Sequence, residues 1–86
     1  MDKNVTLYAL STCIHCKNTK ALLEELLGAD GFDCIYTDRL SGEERNDTLR
    51  DLRRINPEVS FPTTVVGDDH VVGFKQDKIR ELLDAS

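Results

Sequence analysis

Two cysteines separated by two residues, Cys13-Ile14-His15-Cys16, stand where a strand-like run gives way to a helical pattern. Before them, Val5 to Leu10 is a short, mostly apolar run containing β-branched residues, which suits a buried central strand. Ser11 and Thr12 end it. After them, Thr19, Leu22, Leu23, Leu26 and Leu27 recur at i, i+3, i+4, i+7 and i+8, the spacing of one helix face. Gly28 and Gly31 supply stop signals. A dithiol fixed at a strand-to-helix turn requires a βα unit whose open end carries both sulfurs.

The remaining pattern supplies the partners of that unit. Phe32 to Thr37 reads as a second strand. Ser41 followed by Glu44 has the spacing of a capping box and opens a second helix through about Ile55, with Leu49, Leu52 and Ile55 as its apolar stripe. Asn56-Pro57 ends that helix, because the residue before proline disfavours helical dihedrals. Phe61 to Val66 is a third strand entered through Pro62, and Gly67-Asp68-Asp69 is a turn. His70 to Val72 is a fourth strand stopped at Gly73, and Ile79, Leu82 and Leu83 mark a closing helix. The order is βαβ, a helix, then ββα, without an internal repeat or linker. A βαβ start implies parallel strands joined by a right-handed crossover. The short connection from Val66 to His70 makes the last two strands antiparallel. The expected fold is α/β, a three-layer α/β/α arrangement around a four-stranded mixed sheet, which is that of the thioredoxin fold.

Composition narrows the function. A chain of 86 residues suggests a single domain over 1–86. With 40% hydrophobic and 31% charged residues it is neither disordered nor membrane-like in composition. No apolar run approaches the roughly 20 residues of a membrane helix. Met1, Asp2, Lys3 and Asn4 lead straight into the first strand, without the basic, apolar and small-residue blocks of a signal peptide, so a cytoplasmic location is expected. A net charge of -5 repels phosphate backbones, and the absence of Trp removes the best stacking platform, so nucleic acid is not an expected partner. An odd count of three cysteines argues against a disulfide framework and leaves redox chemistry or metal binding.

Helix N-termini carry unpaired N–H groups and the positive end of the macrodipole, which stabilise a thiolate. Cys13 therefore reads as an exposed nucleophile of lowered pKa, and Cys16 as the thiol that attacks the resulting mixed disulfide. The competing reading is a zinc half-site. Tetrahedral zinc usually takes a second ligand pair, and the remaining donors Cys34, His15 and His70 form no closely spaced pair. His15 is either a solvated polar residue or a partial cation that stabilises the Cys13 thiolate and raises the reduction potential. Lys17 and Lys20 read as solvated, with Lys17 a weaker candidate for thiolate support. Cys34 reads as a small core residue.

The block Ser11-Thr12-Cys13-Ile14-His15-Cys16-Lys17 with Lys20, the tetrad Ser60-Phe61-Pro62-Thr63 and the stretch Val72-Gly73-Phe74-Lys75-Gln76-Asp77-Lys78-Ile79 resemble, in order, three segments of the glutaredoxins. The resemblance implies a nucleophilic Cys13, a resolving Cys16 and a cis Pro62, whereas on spacing alone Pro62 is equally a strand-entry proline. It implies that Thr12, Phe61, Pro62, Gly73 and Asp77 hold glutathione or an extended cysteinyl peptide through main-chain bonds. Two features depart from the family pattern. Ile14 and His15 stand where Pro and Tyr are usual, and Gly73 is followed by Phe74 and Lys75 rather than a second small residue and an acidic pair. The latter stretch is more similar to the NrdH-redoxins, which serve ribonucleotide reductase and are generally reduced by thioredoxin reductase. Arg50, Arg53 and Arg54 form a basic stripe that could meet a glutathione carboxylate or pair with acidic neighbours.

The resemblance thus implies a thiol-disulfide oxidoreductase with no bound cofactor, and a monomer is the expectation for a dithiol carrier that docks with several proteins. Glutathione or a thioredoxin-reductase-like enzyme would be its reductant, and disulfide-containing proteins, ribonucleotide reductase among them, its clients. The reading from another class is a zinc module, or an iron–sulfur cluster bridging two chains. An oxidant or isomerase role, suggested by His15, is disfavoured by the expected compartment.

Overall fold

The computed structural model of the chain describes residues 4–84. The lead-in read at Met1, Asp2 and Lys3 lies outside the described residues. The first strand, β1, runs Val5–Ala9, and helix α1 follows as Ile14–Leu27. Strand β2 is Asp33–Tyr36, and a single 3-10 turn, Thr37–Arg39, links it to helix α2, Gly42–Ile55. Strands β3 and β4 are Thr63–Val66 and Asp69–Val72, and helix α3 closes the chain as Gln76–Asp84.

The strands lie in the order β2-β1-β3-β4. β1 is parallel to β2, while β1–β3 and β3–β4 are antiparallel. This mixed sheet is the thioredoxin fold expected from the element order. The apolar run at Val5 lies at the centre of the sheet, but its two faces are not equally dry. Val5, Leu7 and Ala9 are buried, and Thr6 and Tyr8 only partly. Side chains alternate across a strand, so Leu7 shares one face with its neighbours Cys34, Thr64 and Val71 across the sheet. There, Leu22 and Leu23 of α1 and Ile79 of α3 complete one apolar cluster. Tyr8 looks the other way, toward α2, where the charge of Asp51 reaches its hydroxyl. Leu52 of α2 is fully buried outside the first cluster. Helices on both faces make the three layers.

Several element ends depart from the pattern reading for local reasons. Ser41 is the N-cap residue of α2, but its side chain makes no capping hydrogen bond, so the capping box marks the boundary without closing it. Leu26 belongs to the helical apolar spacing yet is 36% exposed, because Leu22 and Leu23 take the sheet contacts while Leu26 lines a surface groove with Leu27, Arg80 and Leu83 at the end of α3. Thr37 leaves the sheet for the 3-10 turn. Phe61 and Pro62 precede β3 rather than joining it. Asp69 pairs with Val66 as the first residue of β4, which narrows the hairpin turn to Gly67-Asp68. Gly28, at φ 82 and ψ 163, ends α1 with its N–H on the Glu24 carbonyl at 2.8 Å. This conformation excludes side-chain-bearing residues in practice.

Candidate active site at the open end of the sheet

The register gathers four chain segments at one end of the sheet. β1 finishes at Ala9, opposite Tyr36, and both chains run on in the same direction. β3 begins and β4 finishes at that end, where Thr63 is paired with Tyr8 and Val72. The Cys13 loop, the Thr37–Arg39 turn, the Phe61-Pro62 loop and the Gly73 turn are therefore neighbours, although they span most of the sequence.

Cys13 is the N-cap residue of α1, with extended dihedrals and a side chain that accepts the Cys16 N–H at 3.3 Å. This is the geometry by which a polar side chain satisfies a free helix N–H, here with sulfur as the acceptor. Cys13 is partly exposed, and Cys16 is 2% exposed beneath it. Cys16 Sγ accepts the Leu10 N–H at 3.4 Å, so the end of β1 also contributes a donor.

The two thiols are driven apart in acidity. Burial alone would raise Cys13. Hydrogen bonds from the Cys16 thiol and from the Cys16 and His15 backbone N–H groups outweigh it, and the net effect holds Cys13 below the ordinary thiol value. Burial, followed by the hydrogen bond it gives Cys13, pushes Cys16 up to about 12, and the charges of Cys13 and Cys34 act in the same direction. A pair so divided supplies a nucleophile and a proton-bearing partner. Once Cys13 is joined to a substrate sulfur it is neutral. Its charge and its demand for the Cys16 proton then vanish, while the Leu10 N–H that favours the Cys16 thiolate remains.

The other residues singled out in the sequence fall as follows. The Phe61–Pro62 peptide is cis, with Pro62 buried and Phe61 partly buried. The Pro62 carbonyl accepts the Gly73 N–H at 2.8 Å, so these two segments are joined directly. Gly73 has φ 89, a conformation natural to glycine. Thr12 is exposed on the Cys13 loop, and Asp77 is exposed in the first turn of α3. His15 and Lys17 are exposed, and what His15 gives the Cys13 sulfur is its backbone N–H. Of the basic stripe, Arg50 meets Asp47 at 3.5 Å, and Arg53 and Arg54 are exposed. Cys34 is partly buried against the core. Among the described residues, no group of three or more His, Cys, Asp and Glu side chains converges as a metal site would require.

Two supports carry no sequence signal. The Asp38 carboxylate accepts the Ser11 N–H at 3.0 Å and the Ser11 hydroxyl, which ties the Cys13 loop to the turn after β2. These bonds hold the Asp38 carboxyl below its usual range. Asn56, buried at the end of α2, donates to Ser60 Oγ at 3.0 Å and Thr63 Oγ1 at 3.3 Å, and Thr63 Oγ1 in turn donates to the Ser60 carbonyl at 2.7 Å. This network braces the loop before Pro62 from below. Finding either contact requires knowing which segments the fold brings together.

A protein-family model described as Glutaredoxin matches residues 5–71. No curated protein matches. Among solved structures, the glutaredoxin from Methanosarcina mazei Go1 is 49% identical, with a TM-score of 0.82, covering 93% of this chain and 77% of that one. Methanosarcina acetivorans methanoredoxin is 46% identical, with a TM-score of 0.85, covering 93% and 83%. The glutaredoxin-like NrdH-redoxin from Escherichia coli is 30% identical, with a TM-score of 0.66, covering 92% and 93%. With a partly exposed thiol at the start of α1 above a buried one, on this fold and with these relatives, the chain belongs to the glutaredoxin family.

Proposed function

We propose that the chain is a dithiol–disulfide oxidoreductase that reduces protein or glutathione mixed disulfides. The observation that carries this reading is the division of labour within the pair: a thiolate held at the start of α1 and a protonated, buried thiol one turn below it. The Cys13 thiolate attacks one sulfur of the substrate disulfide. A Cys13–substrate S–S bond forms, the original S–S bond breaks, and the leaving sulfur departs as a thiolate that takes a proton. Cys16 then loses its proton and attacks Cys13. The second substrate thiol is released, and the protein is left with a Cys13–Cys16 disulfide. Two electrons from an external thiol or an NADPH-fed reductase regenerate the dithiol. The substrate backbone would lie as a short extended segment along Phe61 and Pro62, with Thr12, Gly73 and Asp77 at its edges.

The reductant is decided by turnover of a small mixed disulfide with two systems side by side. One contains glutathione, glutathione reductase and NADPH, and the other thioredoxin reductase and NADPH. Activity with the first, lost in Cys13→Ser, makes glutathione the reductant. The NrdH-redoxin relative has a thioredoxin-like activity profile, and Phe74 and Lys75 after Gly73 favour that second reading. It requires activity with thioredoxin reductase alone. Silence with both systems removes the proposal and leaves a metal module to be tested by metal content under reducing, anaerobic conditions.

Beside the backbone N–H it gives the Cys13 sulfur, the proposed role of the exposed His15 ring is to raise the reduction potential as a partial cation. An exposed charge interaction is worth about 0.2–1 kcal/mol, so His15→Ala should lower the reduction potential by about 5–20 mV. An unchanged or higher value in redox titration against glutathione would sink this role.

A further inference from the structure

The chain carries a net charge of -5, yet the flank of the dithiol nearest β2 is cationic. Counted from Cys13 along α1, Lys17 and Lys20 fall at i+4 and i+7, neighbours on one helix face. Tyr36, at the end of β2, closes that face. Its ring centroid lies 5.7 Å from Lys20 Nζ and 5.3 Å from the Arg39 guanidinium carbon. The Tyr36 hydroxyl, and after it the Tyr36 charge, keeps the Lys20 ammonium protonated beyond its ordinary range. Lys17 and Arg39 are exposed and Lys20 partly so. Among the described residues, none of the three reaches a carboxylate at ion-pair distance. The acidic groups nearby are placed otherwise. Asp38 is hydrogen-bonded to Ser11 and feels Arg39 only through its charge, Glu24 acts on Lys20 only through its field, and Glu44 lines the groove that also contains Tyr36 and Arg39.

We propose that this arc of Lys17, Lys20 and Arg39 around Tyr36 receives an acidic segment of the client protein beside the disulfide being reduced. The proposal rests on the dithiol reading above and names the substrate class. Seven residues of helix from Cys13 to Lys20 rise about 10 Å, which about three residues of extended chain span. The client is therefore a protein with Asp or Glu about three positions from its reactive cysteine. A polyanion such as nucleic acid fits less well, because its length would meet the acidic remainder of the surface.

The test uses two peptides, each with one cysteine in a mixed disulfide with a chromogenic thiol. They differ only in carrying Glu or Lys three residues to either side of the cysteine. At low ionic strength the wild-type protein should favour the Glu peptide by about five- to tenfold in kcat/KM, the sum of a few exposed charge contacts. The ratio should fall toward one above about 0.5 M salt. The double variant K20E/R39E should reverse it. Because the readout is a ratio within one preparation, partial unfolding does not produce a reversal. Equal kcat/KM for the two peptides in the wild type, or a preference that survives in K20E/R39E, overturns the proposal while the dithiol reading stands. No turnover of either peptide overturns both.

Discussion

Cys16→Ser should turn a catalyst of protein-disulfide reduction into a trap: Cys13 still attacks, but nothing remains to release the client. Incubation with a disulfide-bearing protein should yield a stoichiometric mixed disulfide, visible on non-reducing gels and cleaved by added dithiothreitol, with turnover at background. Cys13→Ser should give neither adduct nor turnover, because Cys16 is 2% exposed and its pKa is pushed up to about 12. The pH dependence follows from the same contacts. Only the thiolate reacts, and a lowered pKa moves the rise of reactivity to lower pH. Alkylation of Cys13 should therefore level off below the pH at which a free thiol, with a pKa of about 8.5, does so. A serine at position 16 keeps a hydroxyl donor and should preserve most of that shift. Cys16→Ala removes the side-chain donor and should move the plateau up toward the free-thiol range. The backbone N–H groups of His15 and Cys16 keep part of the effect. Identical plateaus in the Ser and Ala variants would show that the Cys16 side chain does not hold the thiolate.

Leu23→Ala should be the most damaging single change to stability among the residues of α1. Leu23 is fully buried in the cluster that binds α1 to the sheet. Truncating a buried Leu typically costs about 3–5 kcal/mol, through lost transfer energy and the cavity left behind. A domain of this size has only about 5–15 kcal/mol in total, so the melting temperature should fall by roughly 15–30 °C. Leu26→Ala, three residues on in the same apolar pattern but 36% exposed, should cost about 1 kcal/mol or less. Thermal denaturation of the two variants separates the part of the apolar helix face that the fold buries from the part it leaves half open. Equal losses would mean that α1 is rotated from the orientation described here.

The sequence by itself determined the type and order of the strands and α-helices, though not the 3-10 turn after β2, because each of those follows from local chemistry. Thr19, Leu22 and Leu23 repeat at helical spacing, Val5 to Leu10 is a mostly apolar run containing β-branched residues, and Asn56-Pro57 stops a helix through the steric demand of the proline ring. It also determined the placement of Cys13 at a helix start, and with it the expectation of a nucleophilic thiol. Tertiary structure decided what lies around that thiol. Asp38 reaches Ser11 across 27 residues, and the Pro62 carbonyl meets the Gly73 N–H only because β3 and β4 pair in one register. Tyr36 comes between Lys20 and Arg39 because β2 ends beside β1. The same holds for acidity. A cysteine at a helix N-terminus is expected to be acidic wherever it occurs, but the rise of Cys16 to about 12 comes first from burial, which the layers of the fold impose. Local spacing encodes hydrogen bonds within a turn of helix. Contacts between segments depend on how the strands pair and the layers close, and no short stretch of sequence contains that information.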